Sequence, residues 1–453
     1  MRRSKLLQKP IRVILVVMLF AGSALPTALL AQNIVSTTPL RSAQELPSQK
    51  SPPTVSTFTS QETSTPVVSI TLGESKQIFR FRHPDSMGLF NVPDMHTAVL
   101  QQPDKSYLLW ITGNIGRSGG SIARLSTKDF LHYENAGPGT PTRAQPVMVP
   151  SCRTSAAAGT RRRSRAGGVM DRGSETARQS CLENYDADYV GANSVMTATN
   201  GKDLLMFYEA GNKSPGGNTI RHGWEYNVIA MARSTDNGIT WDRKGVVLSG
   251  TDPKPTEQTE TSQPGISEPG TIVVNGYIYM FYQYVPSRAS DPQSPSVIQV
   301  ARAPVSGDGA PGTWTKYYQG SFTQPGIGGL GSPIVATRDG TGCTRPVQVW
   351  PAFSTYLNAY ILTFLCNEGW FLSTSKDLVT WTPPTNLMPM KMWQHCQPMD
   401  WNYIFVTPGN QAGVIGQTGY VLYAHTDSKG LGCSAGFSPH ELWVRSFTFS
   451  GSR

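Results

Sequence analysis

Polar side chains at the start of five short, strand-like segments could do acid–base chemistry together. The segments are Asp94-Met-His-Thr-Ala-Val99, Asn193-Ser-Val-Met196, Glu268-Pro-Gly-Thr-Ile272, Ser332-Pro-Ile-Val335 and Gln397-Pro-Met399. They recur at similar intervals after a longer first one, which predicts one segment in each repeat of a ring. Since corresponding positions in a ring face one another across its axis, we expect these five polar residues to line one pocket.

Asp94 and Glu268 are the two carboxylates of this set. A pair of carboxyl groups across a pocket can cleave a glycosidic bond, because one protonates the departing oxygen while the other activates water or attacks the anomeric carbon. We therefore predict that Asp94 and Glu268 are catalytic. Asn193, Asp188, Ser332, Gln397 and His96 are predicted to contact the substrate. The structural alternative is that an acidic residue at a strand start caps a turn, and that His96 is a satisfied core residue.

The elements that must position these side chains are short β-strands that recur five times. One set of strands contains Tyr107 to Asn114, Leu204 to Asn212, Tyr277 to Tyr282, Tyr360 to Phe364 and Tyr420 to Tyr423. A further strand follows each of them, near residues 121–126, 228–234, 297–302, 369–373 and 441–446. Four strands per repeat predict an all-β fold, a five-bladed β-propeller with four-stranded antiparallel blades, over residues 67–453.

The turn after the third strand of the repeat has its own signature. Ser234-Thr-Asp-Asn-Gly-Ile-Thr-Trp241 matches the pattern S-x-D-x-G-x-T-W, known as the Asp-box of sialidases, and related turns begin at Thr127 and Ser375. We predict a structural role, in which the Asp236 carboxylate accepts turn amides, Gly238 permits the tight bend and Trp241 packs between blades.

With these motifs in place, the sequence resembles the five-bladed propeller glycoside hydrolases, especially the arabinanase and β-xylosidase group. The resemblance covers about residues 85–450. In those families the first three blades supply an Asp base, an Asp that tunes the acid, and a Glu general acid. The resemblance implies that Asp94 is the base, that Asn193 occupies the tuning position and that Glu268 is the acid. It also implies that an axial calcium ion is compatible with the fold, with His395 nearby, although no cofactor is required.

Two departures from the family pattern leave a second function open. Asn193 stands where the family has its second carboxylate, unless Asp186 or Asp188 takes that place, and an amide cannot raise a neighbouring pKa by charge repulsion. Asp94 is not followed by proline. The alternative is a non-catalytic, lectin-like propeller that binds carbohydrate. A third possibility is a docking propeller that uses an Arg-rich loop.

The charge distribution argues against a nucleic-acid partner. The formal net charge is +9, but the first twelve residues and the segment 153–178 carry the excess of basic residues. A basic field over the whole domain, which DNA binding requires, is therefore absent. The Arg-rich segment belongs to an insertion, residues 136–187, that we expect to form a solvated loop.

The N-terminus predicts export. Residues 1–31 combine basic residues, an apolar run and a small residue for cleavage, which is typical of a secretory signal peptide, with an uncleaved membrane anchor as the alternative. Residues 32–66 read as a disordered Ser/Thr/Pro-rich linker. The six cysteines then suggest disulfides Cys152–Cys181, Cys343–Cys366 and Cys396–Cys433. We expect a secreted or periplasmic monomer without stable membrane association after cleavage.

Overall fold

The chain is all-β in its computed structural model, as predicted. The structure describes residues 68–80, 86–115, 118–152, 184–213, 225–256, 263–287, 296–335, 343–390, 398–426 and 440–450. They belong to one compact unit, Thr63–Arg453. The predicted signal peptide and linker lie outside the described residues. Within the described part of the chain, no helix has the length and apolar character needed to cross a membrane.

Twenty-five strands make up the described unit. The first twelve are β1 (Ser69–Gln77), β2 (Leu89–Phe90), β3 (Ala98–Gln101), β4 (Tyr107–Ile115), β5 (Ser118–Thr127), β6 (Tyr133–Asn135), β7 (Gly139–Thr140), β8 (Arg143–Ala144), β9 (Tyr189–Thr197), β10 (Leu204–Asn212), β11 (Tyr226–Ser234) and β12 (Asp242–Leu248). The others are β13 (Gly265–Val274), β14 (Tyr277–Val285), β15 (Val297–Pro304), β16 (Thr315–Tyr318), β17 (Ser321–Pro325), β18 (Val347–Ser354), β19 (Ala359–Cys366), β20 (Gly369–Ser375), β21 (Thr385–Pro389), β22 (Met399–Val406), β23 (Val414–Ile415), β24 (Thr418–Thr426) and β25 (His440–Ser450).

The strands form successive antiparallel groups. The groups are β3 to β6, β9 to β12, β13 to β17, β18 to β21, and β22 with β24, β25 and β1. The second and third groups are joined into one sheet by a single parallel pair, Asn227 with Gly265. In each group the strand that comes first in the chain, apart from β1, is called the first strand below: β3, β9, β13, β18 and β22.

The last group combines the two ends of the described chain. β1 pairs antiparallel with β25, with Ser69 opposite Ser450 and Gln77 opposite Trp443. β25 in turn pairs with β24 along its length. The strand nearest the N-terminus is thus the outer strand of the sheet that contains the last strand.

Five hydrophobic clusters hold the groups together: four lie between consecutive groups, and the fifth lies between the last group and the first. In β4, Leu108 and Trp110 belong to the cluster shared with the second group, whereas Leu109 and Ile111 belong to the cluster shared with the last group. This two-sided burial follows from the alternation of side chains along a strand and explains the nearly continuous apolar runs. The cluster of Leu109 also includes Ile404 and Val444, so the last group packs on the first.

The first strands share an irregularity that points polar residues toward one place. The pairing register shifts by one residue within β9, β13, β18 and β22. The extra residues fall at Asn193, Glu268, Gln348 and Asn402, and the last three have left-handed φ angles of 54°, 56° and 55°. A bulge of this kind leaves one residue out of the ladder and re-aims its side chain, so these four polar residues are presented together.

The turn from Ser234 to Trp241 is held by its own side chains. The Asp236 carboxylate accepts the backbone N–H groups of Ile239 (3.2 Å) and Thr240 (2.9 Å). Gly238 has a φ of 82° and lies against the Trp110 ring, where a Cβ would overlap with it. Trp241 meets Trp110 edge to face at 5.9 Å, which ties the second group to the first.

The insertion and the fourth repeat differ from the sequence-based expectations. The beginning of the insertion is not a solvated loop: β7 and β8 form a small hairpin, Ala144 and Met148 are buried, and Met148 bridges to Ile122. Residues 153–183 lie outside the described part. The expected strand at Ser332–Val335 is also wrong, because those residues have no regular structure and β18 begins at Val347.

One of the three predicted disulfides, Cys343–Cys366, is confirmed. Cys152 is also disulfide-bonded. The predicted partner Cys181 and the predicted pair Cys396–Cys433 lie outside the described residues.

Removing the Cys343–Cys366 bond should lower stability. The bond closes a segment with a sequence separation of 23, and a cross-link of that length restricts the unfolded chain. We expect the Cys343→Ala/Cys366→Ala variant to lose about 3 kcal/mol of unfolding free energy in denaturant titrations. The reduced wild type, which keeps both buried side chains, should show a similar loss. An unchanged midpoint in both would mean that the bond does not constrain the unfolded state.

Candidate active site

Asp94 lies just before β3, and a hydrogen bond of its backbone N–H fixes its position. Its N–H donates to the Thr112 carbonyl at 2.9 Å, and its Oδ1 lies 3.7 Å from Nε2 of the buried His440 on β25. The Asp94 side chain is 23% exposed, so a ligand can reach it. Burial, followed by the charge of Glu225, raises the pKa of Asp94 to about 7, while Lys213 and a hydrogen bond from Tyr189 oppose the rise.

Glu268 occupies the bulge of β13 and is partly exposed. Burial is the main cause that raises its pKa to about 8; the nearby charge of Asp94 adds to the rise, and contacts with Gln348 oppose it. Its Oε2 has no hydrogen-bond partner among the described residues. Glu268 is therefore a carboxyl group with a raised pKa and one buried oxygen that has no hydrogen-bond partner among the described residues.

A third carboxyl group, Glu209 on β10, was missed by the sequence analysis. Its side chain is only 5% exposed, and its Oε2 accepts the backbone N–H of Glu268 at 2.8 Å. Burial, followed by the charges of Glu268 and Glu225, raises the pKa of Glu209 well above its ordinary value. The available signal was a lone acidic residue in the middle of the otherwise apolar strand Leu204–Asn212, all of which is buried.

The carboxyl groups lie around the hydroxyl group of Tyr189 on β9. Its hydroxyl donates to the Asp94 carbonyl oxygen at 3.3 Å. The pKa of Tyr189 is raised by burial and then by four acidic groups, Asp94, Glu209, Glu225 and Glu268. The four carboxyl groups lie close enough to one phenol to act on it, and burial raises the pKa of each of them.

Glu225 and Lys213 form the ion pair beside this cluster. Lys213 Nζ lies 3.5 Å from Glu225 Oε2, and the Glu225 side chain is 8% exposed. Gly211 is required for this arrangement, since a Cβ at that position would overlap with the Glu225 carboxyl group. The pKa of Glu225 is raised by burial, with Lys213 opposing the rise.

Three further side chains supply neutral polar groups to the pocket. Several of their polar atoms are buried and have no hydrogen-bond partner among the described residues: both amide atoms of Asn193, Oδ1 of Asn402 and both ring nitrogens of His96. Burial lowers the pKa of His96 to about 3, so its imidazole is neutral at working pH. Gln348 connects the set, because its Oε1 accepts the Asn402 backbone N–H at 2.9 Å.

Of the remaining predicted residues, Asp188 lies beside the cluster, where its charge adds to the effect of burial in raising the pKa of Glu225. Asp186 and Ser332 are engaged elsewhere. Asp186 is engaged by Arg243 and by the Tyr208 hydroxyl, and Asp188 accepts the Lys213 backbone N–H at 2.8 Å. Ser332 lies beside the β16–β17 hairpin, where its hydroxyl accepts the Gln319 N–H at 3.0 Å. Gln348 and Asn402, rather than Ser332 and Gln397, stand in the fourth and fifth first strands. Gln397 and His395 lie outside the described residues.

A cavity of about 990 Å³ continues along the first strands. It lies next to the polar ring, by which we mean the bulge residues Asn193, Glu268, Gln348 and Asn402. Each first strand, or the residue just before it, contributes one of the following side chains to the cavity wall: Thr97, Asn193, Thr271, Trp350 and Ile404. Asn193 is shared between the ring and the cavity, whereas Asp94 and Glu268 do not line it. The carboxyl cluster therefore lies beside this cavity and is not part of its lining.

No cluster of three or more His, Cys, Asp or Glu side chains among the described residues is arranged to hold a metal ion. The axial calcium suggested by the family resemblance stays a prediction.

The arrangement has what acid–base chemistry at neutral pH requires. It contains two partly exposed carboxyl groups, Asp94 and Glu268, whose pKa values are both raised and of which Asp94 acts on Glu268. It also contains buried, unpaired amides that can both donate and accept hydrogen bonds. Such pairs of titratable groups are typical of general acid–base sites, and unpaired polar atoms are typical of sites that bind a polar ligand.

Comparison with known proteins gives remote similarity to carbohydrate-active enzymes. No protein-family model matches the chain, and no curated protein matches its sequence. An α-L-arabinofuranosidase from Podospora anserina in complex with cellotriose matches at a TM-score of 0.44 and 9% identity, over 82% of this chain and 95% of that chain. A family 117 glycoside hydrolase from Zobellia galactanivorans matches at a TM-score of 0.44 and 10% identity, over 84% and 90%. The catalytic domain of a Coprinopsis cinerea arabinofuranosidase gives 0.44 and 10%, over 84% and 98%.

These neighbours are glycoside hydrolases, the class that the sequence resembles. At this level of similarity they establish neither the activity nor the substrate of the present chain.

Proposed function

We propose that this protein is a secreted glycoside hydrolase whose single active site is built on a five-bladed β-propeller with four-stranded blades. Five antiparallel groups, with one hydrophobic cluster between each consecutive pair and one between the last and the first, support a closed ring. In such a ring β1 is the fourth strand of the last blade. A propeller binds ligands at one end of its axis, where the polar residues of the first strands are presented.

Glu268 is the general acid in this proposal. Its raised pKa favours the protonated form near neutral pH, and its buried Oε2, which has no hydrogen-bond partner among the described residues, is the atom proposed to meet the leaving-group oxygen. As the bond between the anomeric carbon and the glycosidic oxygen breaks, the Glu268 proton passes to that oxygen and Glu268 becomes a carboxylate. The observation that carries the proposal is this protonated, unpaired and partly exposed carboxyl group beside Asp94.

Asp94 is the base or the nucleophile. In the proposed active form Asp94 is ionised and Glu268 is protonated, and the charge of Asp94 adds to the effect of burial in raising the pKa of Glu268. As a base, Asp94 takes a proton from the water that attacks the anomeric carbon. As a nucleophile, it bonds to that carbon, and water releases the sugar in a second step. The neutral amides of Asn193 and Asn402 and the neutral His96 are placed to pair with sugar hydroxyl groups.

The activity should depend on pH in a narrow bell. The active form has Asp94 ionised and Glu268 protonated, so kcat/KM rises as pH passes about 7 and falls as it passes about 8. Because the two groups interact, the two apparent pKa values belong to the pair. The measurement is a pH profile of kcat/KM at constant ionic strength.

In the Glu268→Gln variant the residual activity should lose its falling limb, because no acid remains to be deprotonated. A wild-type profile that is flat between pH 6 and pH 9, or one that only rises, would contradict the assignment of the two roles.

The proposal itself is tested by a hydrolysis screen of the mature protein on plant and bacterial oligosaccharides and on aryl glycosides, with a glycan-binding panel alongside. Cleavage of any of these establishes the hydrolase. Glycan binding without cleavage on every substrate would replace it with the lectin-like alternative, which Asn193 favours in the sequence.

A further inference from the structure

We propose that Glu209 is the positioning residue of the general acid: its carboxyl group accepts the backbone N–H of Glu268 and fixes the bulge from which the Glu268 side chain reaches the pocket. This inference rests on the proposed function, since it assigns a role within that active site. Glu209 lies on the second strand of its group, away from the chain position at which the resemblance implies a second carboxylate.

The bulge in β13 creates the need for this contact. Ser267 pairs with Gln283 and Gly270 pairs with Phe281, so the ladder passes over Glu268. The N–H of a bulged residue is left without its usual cross-strand acceptor, and a buried N–H without an acceptor is costly. Glu209 Oε2 supplies the acceptor from the neighbouring group at 2.8 Å.

The backbone of Glu268 is also in a conformation that requires support. Its φ is 54°, in the left-handed region, which costs a residue with a side chain roughly 1–2 kcal/mol. Such a conformation persists only where surrounding contacts hold it. The hydrogen bond from Glu268 to Glu209 is one such contact, and it acts on the atom directly next to the strained φ angle.

Glu209 performs this role as a neutral carboxylic acid. Its side chain is 5% exposed, and burial, followed by the proximity of the Glu268, Glu225 and Asp94 carboxyl groups, raises its pKa well above the ordinary value, which favours the neutral form. Ionising it would place an additional negative charge in a desolvated pocket. A neutral carboxyl group has one oxygen that accepts the Glu268 N–H and one O–H that donates, and the side-chain amide of glutamine has the same shape and the same two functions. Glu209 therefore cannot raise the pKa of Glu268 by repulsion, and burial remains the main cause of that rise.

The kinetic test compares Glu209→Gln with Glu209→Ala. We expect the Gln variant to keep the wild-type kcat and pH profile, because the acceptor is retained. The Ala variant should lose roughly 10²-fold in kcat, since a misplacement of about 1 Å at a reacting group has that effect, while KM changes little. Its falling limb should also shift as Glu268 moves. If both variants lose activity equally, Glu209 acts through its charge; if neither does, it does not position the acid. Either result overturns the proposal.

A second measurement is independent of hydrolysis. Amide hydrogen exchange at Glu268 should be slow in the wild type and in Glu209→Gln and faster in Glu209→Ala, because only alanine removes the acceptor. The Glu225→Gln variant is the matched control: it also replaces a buried acidic residue of the cluster but leaves the acceptor in place, so exchange at Glu268 should not change. Unchanged exchange in Glu209→Ala overturns the proposal even if the protein cleaves sugars. If the wild type cleaves nothing, the proposed function fails. The exchange result still shows whether Glu209 accepts the hydrogen bond of the Glu268 N–H.

Discussion

Replacing Glu268 with glutamine is expected to reduce hydrolysis of unactivated oligosaccharides by about 10²- to 10⁴-fold, the contribution of a well-placed general acid. Glutamine has nearly the shape of the protonated glutamic acid but has no acidic proton to give to the leaving oxygen. The loss should be much smaller for aryl glycosides with highly acidic phenol leaving groups, because these depart without protonation. The measurement is kcat/KM for a series of aryl glycosides of increasing phenol acidity.

The matched control is Glu134→Gln, which makes the same chemical change on the exposed side of β6. This variant should keep wild-type kinetics on every substrate. A Glu268→Gln enzyme that cleaves natural oligosaccharides as fast as the wild type would remove Glu268 from the mechanism. The hydrolase class would then remain, and the acid would have to be another member of the carboxyl cluster.

Replacing Asp94 with asparagine should cause a loss of similar size, about 10²- to 10⁴-fold, but with a different dependence on the substrate. The amide cannot accept the proton of the attacking water and cannot form a glycosyl ester. This loss should be the same for good and poor leaving groups, because attack at the anomeric carbon is impaired in every case. The rising limb of the pH profile near pH 7 should also disappear.

The two variants therefore distinguish the roles of the two carboxyl groups. If Asp94→Asn instead shows the leaving-group dependence expected for Glu268→Gln, the acid and the base are exchanged. Glycan binding that persists in Asp94→Asn would show that the pocket still folds and that the loss is chemical. A variant that neither binds nor cleaves calls for a measurement of its unfolding free energy before its kinetics are interpreted.

The sequence predicted the position of the first strand in every repeat except the fourth, and it identified the polar residue at the bulge in the second and third repeats. Asp94, Asn193 and Glu268 do lie at or next to the first strands of their groups. In the fifth repeat the expected segment ends at Met399, where β22 begins, but the polar residue of the bulge is Asn402, further along the strand. In the fourth repeat the first strand is β18, which begins at Val347, whereas Ser332 lies in a segment without regular structure. The register of a strand is read from its two-residue alternation, so the sequence does not show which polar residue a bulge presents.

Glu209 was missed for a different physical reason. It lies in a second strand that is buried on both faces, and such strands read as core. Its contact with Glu268 joins residues on two different groups, and a hydrogen bond to a backbone N–H has no signature in the sequence of either strand. The packing of neighbouring sheets brings these two residues together, and a local sequence pattern does not predict that packing.

The pairing of β1 with β25 sets the order in which the pocket can be completed during synthesis. His440, the first residue of β25, lies against Asp94, which is made more than three hundred residues earlier. A ribosome-bound chain that has not yet released β25 contains Asp94, Glu209 and Glu268 but lacks the strand that covers Asp94. In that intermediate Asp94 is more hydrated and its pKa lies closer to that of an ordinary carboxylate. A chain truncated before residue 440 would therefore carry Asp94, Glu209 and Glu268 and still lack the strand that lies against Asp94.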